Sequence, residues 1–490
     1  MDGGNLRRGR SERGSAADRR VSRREFVKAA GATGAAVGVA GCTALGSGTD
    51  ANTVQWLADS NVTGAASDVR EGLYEAGLSR DVSLEILAGP SSTDARQQQI
   101  QRWLDAGLSN PDLIMTDSGW TIPFIVRQQL VNFTGNPAVP DRLVERIENQ
   151  YFESIVQTAK HPQTGDLYGM PLFLDVPTML YRRDLIEEAG YSPKRENWAS
   201  ESIRWKRFAR AVRDALDRNR DLQYGFTFQA AAYEGLSCCD FNEFMSSFGG
   251  AYFGGRDTLF GPVGERPVTV NTQPVIDSIR MIRTFIGGPD DPHALDGYAG
   301  PISPRAVLSW IEDSSLAPFT NGNAVAHRNW PYAIPISREA LGNKLGVMPI
   351  PYAVTERQSR YRNIGGPVAS LGGWHVTINP HTEKLDRAVE VLRAMATRSF
   401  RLTLLNVIGW LPPEPKLLDS RASRELLGDA VEPLRVAGEN AIPRPVTVVW
   451  PQESTKIAQI VNDTYGGGIA PAEAMRTLQS QLVEIENYNG

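Results

Sequence analysis

Cysteine is nearly absent. Three residues in 490, Cys42, Cys238 and Cys239, cannot staple a chain of this length, which excludes a disulfide scaffold. Cys238 and Cys239 are neighbours, and two buried thiols are expected there rather than a bridge. Histidine is also scarce: His161, His293, His327, His375 and His381 fall singly, without metal-ligand spacing. Neither a metal nor another cofactor is expected. The apolar run from Ala29 to Ala40 is short of the roughly 20 residues that span a bilayer. No G-x-S-x-G elbow and no G-x-x-x-x-G-K-S/T phosphate loop occurs. Gly466-Gly467-Gly468 precedes Ile469-Ala470-Pro471 and reads as a helix stop, not a dinucleotide fingerprint. No carboxylate pair stands out as catalytic, although counting acids does not eliminate a glycoside hydrolase.

Charge is present but unevenly spread. The chain carries 51 Lys and Arg against 56 Asp and Glu, a net of −5. Residues 1–41 hold nine basic and four acidic residues, so the remainder stands at −10. An acidic body is a poor partner for nucleic acid. The basic head ends in Ser22-Arg23-Arg24-Glu25-Phe26-Val27-Lys28, followed by the mild Gly/Ala run and then Val39-Ala40-Gly41-Cys42. Charged, short-apolar and small-residue segments in that order make an export signal, and the paired arginines indicate the twin-arginine route. The small residues before Cys42 look like a lipobox, so Cys42 is expected to carry lipid and begin the mature chain. Residues 1–41 are then the leader and residues 42–52 a flexible tether.

The body alternates strands and helices. Val54 to Leu57, Val82 with Leu84 and Ile86, and Pro111 to Met115 read as strands. Asp68 to Gly77 and Asp94 to Gly107 read as helices between them, the second with Ile100, Trp103 and Leu104 on one stripe. That alternation predicts a parallel sheet covered by helices, with ligands beyond the carboxyl ends of the strands, where Thr116-Asp117-Ser118-Gly119-Trp120 lies. Tyr168 to Tyr181, extended and containing Pro171 and Pro177, suits a crossing between lobes. Leu345 to Ile350 is a strand, and Lys384 to Ala396 and Pro471 to Glu486 are helices. The expected architecture is α/β, two lobes joined by several crossings.

Aromatic and polar residues interleave in two loops, Asn329-Trp330-Pro331-Tyr332 and Leu371-Gly372-Gly373-Trp374. Flat rings suit the C–H faces of a sugar, while carboxylates, amides and guanidinium groups suit its hydroxyl rim. Several motifs share an order with one family. Pro111-Asp112-Leu113-Ile114-Met115-Thr116-Asp117, Tyr168-Gly169-Met170-Pro171 through Asp175, Tyr181-Arg182-Arg183-Asp184-Leu185 and Phe319-Thr320-Asn321-Gly322-Asn323-Ala324-Val325 resemble segments of the family 1 extracellular solute-binding proteins, the sugar receptors of ABC importers. Gln229, Tyr233-Glu234-Gly235-Leu236, the two aromatic motifs and Arg444-Pro445 resemble the trehalose/maltose-binding subgroup.

The resemblance implies the type II periplasmic-binding-protein-like fold, with a ligand cleft between lobes 53–170 plus 375–430 and 171–374 plus 431–490. It implies binding without catalysis. Asp117 and Asp175 would accept from sugar hydroxyls, with Ser118 and Gly373 beside them. Trp330, Tyr332 and Trp374 would stack on or wall the rings, and Arg444 would donate. Asp117 and Ser118 could equally cap the helix near Trp120, Trp330 and Trp374 could be core, Arg444 could be an ion pair, and Glu234 reads as scaffold. The expected partners are a sugar, permease subunits of an ABC transporter, and the outer face of the cytoplasmic membrane through Cys42, with the protein itself a monomer. A receptor for another polyol or a glycerol phosphate-type solute is the alternative, with a secreted glycoside hydrolase further off.

Overall fold

The computed structural model describes residues 51–90 and 93–489; the expected leader, Cys42 and nearly all of the tether lie outside them. Eleven strands follow in order: β1 (Thr53–Ala58), β2 (Ser83–Ala88), β3 (Leu113–Asp117), β4 (Gly169–Asp175), β5 (Thr178–Arg182), β6 (Tyr224–Thr227), β7 (Ala324–Asn329), β8 (Leu345–Met348), β9 (Ala369–Ser370), β10 (Gly372–Ile378) and β11 (Ala441–Ile442). The expected helices form as Ala66–Glu75, Thr93–Asp105, Leu385–Met395 and Pro471–Asn489. Gly467, at φ +89, ends the helix Trp450–Gly466, as the triple glycine suggests.

Two sheets organise the chain. The first has the order β2-β1-β3-β10-β4, the second β6-β7-β5-β8, and β9 and β11 form a short parallel ribbon. The first sheet departs from the all-parallel expectation. β1, β2 and β3 run parallel, but β10 enters antiparallel to both β3 and β4. This strand arrives late in the chain after residues of the second sheet, so local alternation could not foretell its direction. It is antiparallel β10 that sets Trp374 opposite Asp117.

The chain passes from Asp175 of β4 to Thr178 of β5 through Val176-Pro177 alone, a short extended link that the prolines favour. Separate apolar cores cover the sheets. One gathers Trp56, Met115, Phe173, Val376, Leu392 and Phe400; the other gathers Trp205, Phe226, Phe244, Phe285, Ile350 and Trp450. A third cluster joins β4 and β5 through Leu174 and Leu180, with Leu405 and Leu434. Among the described residues no helix is long and apolar enough to cross a membrane.

One expectation is overturned. Cys238 and Cys239 are bridged by a disulfide. Both are buried in a π-helical turn, Leu236–Asp240, where an extra residue per turn changes the relative placement of adjacent side chains. Ser370 Oγ donates to the Cys239 carbonyl at 2.9 Å, tying this turn to β9.

Candidate functional site

The site grows from the carboxyl end of β3 and the start of β10. Asp117 pairs with Trp374 across the two strands, and the Ser118 N–H donates to the Gly373 carbonyl at 3.0 Å. Gly373 has φ +110, and a Cβ there would meet the Phe173 carbonyl at 2.6 Å, so the position requires glycine. Gly372 pairs with Asp175 of β4, and its own missing Cβ would lie 3.0 Å from the Trp330 ring. The missing side chain at Gly372 therefore leaves room for the Trp330 indole on β10. Two residues on, the Trp374 ring meets Trp120 edge-to-face at 5.8 Å.

Around Asp117 the charges interlock. Its Oδ1 accepts from the Gly119 N–H at 2.5 Å and lies 3.3 Å from Arg444 Nη1. That nitrogen donates to Glu234 Oε1 at 2.9 Å. A Cβ on Gly119 would stand 2.1 Å from Arg444 Nη1, so the guanidinium occupies the space that glycine leaves. Burial raises the Asp117 carboxyl, Arg444 opposes the rise and Glu234 adds to it. Burial alone would lower Arg444, but Asp117 and Glu234 carry it upward. The Asp117 side chain folds back on Gly119 and does not cap the following helix, Thr121–Val126, whose N-cap Trp120 makes no side-chain cap bond.

Two further charged residues border this cluster. Arg96, 3% exposed, holds its guanidinium 4.8 Å from the centre of the Trp374 ring and donates to the Pro90 carbonyl. Its Nη1 is buried with no partner among the described residues. Asp59 caps the short helix Ser60–Gly64, accepting from the Asn61 and Val62 N–H groups. Burial raises the Asp59 carboxyl, with Arg96 among the opposing influences.

Trp330 rests on a buried ion network. The Arg328 guanidinium is 4.9 Å from its ring centre and grips Glu243 with two bonds of 2.9 and 2.6 Å. Gln229 Oε1 accepts from Arg328 at 2.9 Å, and Asp240 lies 3.2 Å away. Glu243 also accepts from the Ser370 N–H at 3.0 Å. The Asp175 carboxyl is pushed up to about 7 by burial, with Arg328 opposing and Asp117 and Glu312 adding.

The structure thus brings together Asp117, Ser118, Gly373, Trp374 and Arg444, with Asp175 and Trp330 next along β10. The Tyr332 hydroxyl donates to Asp313 at 3.1 Å and its ring packs on the third core cluster. Beyond Glu234 opens a pocket of about 500 Å³, bounded by Gln97, Trp120, Tyr233, Glu234 and Trp450. Among the described residues no group of His, Cys, Asp and Glu is arranged to hold a metal.

Residues 81–399 match the model of the bacterial extracellular solute-binding proteins. The chain belongs to that family. This solute-binding protein is 26% identical over 444 residues to a Deinococcus radiodurans protein named Probable ABC transporter-binding protein, covering 87% of this chain and 93% of that one. Its fold resembles maltose-bound MalE3 of T. maritima, with TM-score 0.69 and 22% identity over 88% of this chain and 98% of that one. It also resembles the cyclic alpha-maltosyl-1,6-maltose binding protein of Arthrobacter globiformis, with TM-score 0.65 and 17% identity over 89% and 99%. UgpB of Mycobacterium tuberculosis in complex with glycerophosphocholine gives TM-score 0.66 and 16% identity over 91% and 100%. These likenesses establish the two-lobed type II fold.

Sequence reasoning missed Arg96, Arg328 and Glu243. Arg96 stands four residues before Ile100 and eight before Leu104, all three buried. A cation on the apolar stripe of an amphipathic helix was the available signal. Glu243 and Arg328 are 85 residues apart, and nothing local connects them.

Proposed function

We propose that this solute-binding protein captures a disaccharide or short oligosaccharide, trehalose or maltose in type, and delivers it to the permease of an ABC importer. The observation that carries this reading is that two indoles meet β10, Trp330 over Gly372 beside Asp175 and Trp374 opposite Asp117, which lies against Arg444. Ring faces cover sugar C–H surfaces, and charged hydrogen-bonding groups take up the hydroxyls. Carboxylates prevail: Asp59, Asp117, Asp175 and Glu234 surround only Arg96 and Arg444, while the Arg328 charge is held by Glu243. That balance favours a neutral polyol over a glycerol phosphate-type anion. The lobes, one built on the first sheet and the other on the second, would close over the ligand and present a joint surface to the permease. No bond is broken in this cycle, so the protein acts as a receptor and not as a glycoside hydrolase. Export by the twin-arginine route and a lipid on Cys42 would hold it, as a monomer, at the outer face of the cytoplasmic membrane.

Calorimetric titration with trehalose, maltose, glucose and glycerol 3-phosphate tests the reading. Saturable binding of at least one neutral sugar, with no glycerol phosphate binding, is expected. Heat from glycerol 3-phosphate alone would overturn the sugar assignment while leaving the receptor role, and turnover of a chromogenic glycoside would overturn both.

A further inference from the structure

A concavity of about 380 Å³ opens beside the first two turns of the helix Trp205–Arg218, apart from the cleft residues described above. Arg204, Lys206, Arg207 and Arg210 line it with Tyr298 and Tyr352, and no carboxylate does. Four cations in seven residues are unusual in a body whose net charge is −10. Their spacing makes the arrangement costly. Arg204 with Arg207, and Arg207 with Arg210, are three apart; Lys206 and Arg210 are four apart. Arg207 and Arg210, and Lys206 and Arg210, lie within the helix and at these spacings face each other and repel, whereas Arg204 is the extended N-cap residue. The first turn holds no acidic residue to relieve them. Only Arg207 has an ion pair, with Glu196 at 2.6 Å. Arg204, Lys206 and Arg210 make no ion pair among the described residues; the nearest carboxylate along the helix is Asp214, one turn beyond Arg210 and bonded by the Tyr191 hydroxyl at 2.7 Å.

Repelling side chains on a free surface would swing apart, yet two of these are held. The Arg204 guanidinium donates to the Ala353 carbonyl and lies 5.0 Å from the Tyr352 ring centre. Arg207 donates to Glu196 through two nitrogens and lies 5.2 Å from the Tyr191 ring centre. Lys206 Nζ stands 5.2 Å from the centre of Tyr298. The frame beneath is rigid. Trp205 is fully buried, its indole N–H donates to Ser247 Oγ at 2.9 Å, and its backbone N–H donates to the Tyr352 carbonyl at 2.9 Å. Tyr352 returns a bond to the Ile203 carbonyl at 3.1 Å. Cations lining a preorganised hollow that holds no carboxylate match an anion that accepts from several donors at once.

We propose that this hollow is a second binding site, specific for a phosphate group, either free or at the head of a lipid. A phosphate dianion accepts from guanidinium and ammonium groups together, and the volume admits a phosphate with a short organic substituent. The site is independent of the sugar cleft and of the ligand assigned there.

The full chain carrying Cys42→Ser, which removes any covalent lipid, would be titrated with inorganic phosphate by calorimetry. It would also be sedimented with vesicles of phosphatidylglycerol or of phosphatidylcholine. The comparison variant is Lys206→Gln/Arg210→Gln, because neither side chain has an ion-pair partner and both are exposed. Unchanged thermal melting would certify its fold. Phosphate binding, or selective sedimentation with phosphatidylglycerol, that weakens at least tenfold in the double variant and fades in high salt is expected. Binding of phosphate without vesicles identifies a soluble source, and binding of vesicles without phosphate a lipid headgroup. The absence of both, equal sedimentation with the two lipids, or unaltered binding by the double variant would overturn the proposal.

Discussion

Arg444→Met isolates the electrostatic link between the two halves of the cleft. Arg444 Nη1 lies 2.9 Å from Glu234 and 3.3 Å from Asp117. Asp117 ends a strand of the first sheet, whereas Glu234 precedes a turn whose Leu236 belongs to the second core. The contact therefore exists only while the two halves are together. At about 3 Å and an effective dielectric near 20, each attraction amounts to roughly 5 kcal/mol before desolvation. Burial offsets much of this, and breaking a buried pair by removing one partner costs about 3–5 kcal/mol. The Glu234 side chain is 31% exposed, and solvent can take up part of its charge, which places the loss near the lower end. A loss of about 3 kcal/mol corresponds to roughly 150-fold in Kd. Methionine keeps most of the stem volume, so packing is disturbed little. Calorimetric titration of the wild type and the variant with the best-bound sugar gives the measurement, and Asp117→Asn alone and combined with Arg444→Met completes a double-mutant cycle. Additive losses in the cycle, or a Kd within about threefold of wild type, would refute the link.

Three further outcomes are expected. Gly119→Ala puts a methyl where Arg444 Nη1 now lies, 2.1 Å away; calorimetry should show a loss of affinity comparable to Arg444→Met with little change in melting temperature. Gly373→Ala combines φ +110 with a clash against the Phe173 carbonyl and should lower stability by about 2 kcal/mol or more in denaturant unfolding. The third concerns Glu453, fully buried beside Arg266 and Glu486. Its carboxyl is pushed from 4.5 up to about 8 by burial, against the pull of Arg266. Because the folded state holds this proton more tightly than the unfolded state, its contribution is full below about 4.5 and is lost as pH rises through about 8. Melting curves from pH 5 to 9 should show a decline in the wild type that is reduced in Glu453→Gln; parallel curves would sink this assignment.

Much of the first lobe was legible locally. Val54, Trp56 and Ala58 are all buried on β1, and Ile100 and Leu104 are buried on the helix Thr93–Asp105, because period-2 and period-3.6 patterns follow directly from the backbone. Tyr168 to Tyr181 announced the crossing through its prolines. The site was legible only as motifs. Gly372-Gly373-Trp374 carried no sign that β10 would insert antiparallel beside Asp117, some 257 residues earlier in the chain. Tyr332 shared a motif with Trp330, and the partner of its hydroxyl, Asp313, lies 19 residues earlier, a pairing that no local pattern foretells. Cys238 and Cys239 read as thiols, since the π-helical turn that lets them bridge is itself set by packing.

The amino-acid sequence by itself determined the strands, the amphipathic helices, the acidic body and the family-like order of motifs, all of which depend on residues close together in the chain. The tertiary structure alone decided which charges meet. Asp117, Glu234 and Arg444 sit far apart in sequence, and each is unremarkable there. They acquire a joint role because β3, the turn at 236–240 and the segment after β11 converge on one point, where burial removes the water that would otherwise separate them.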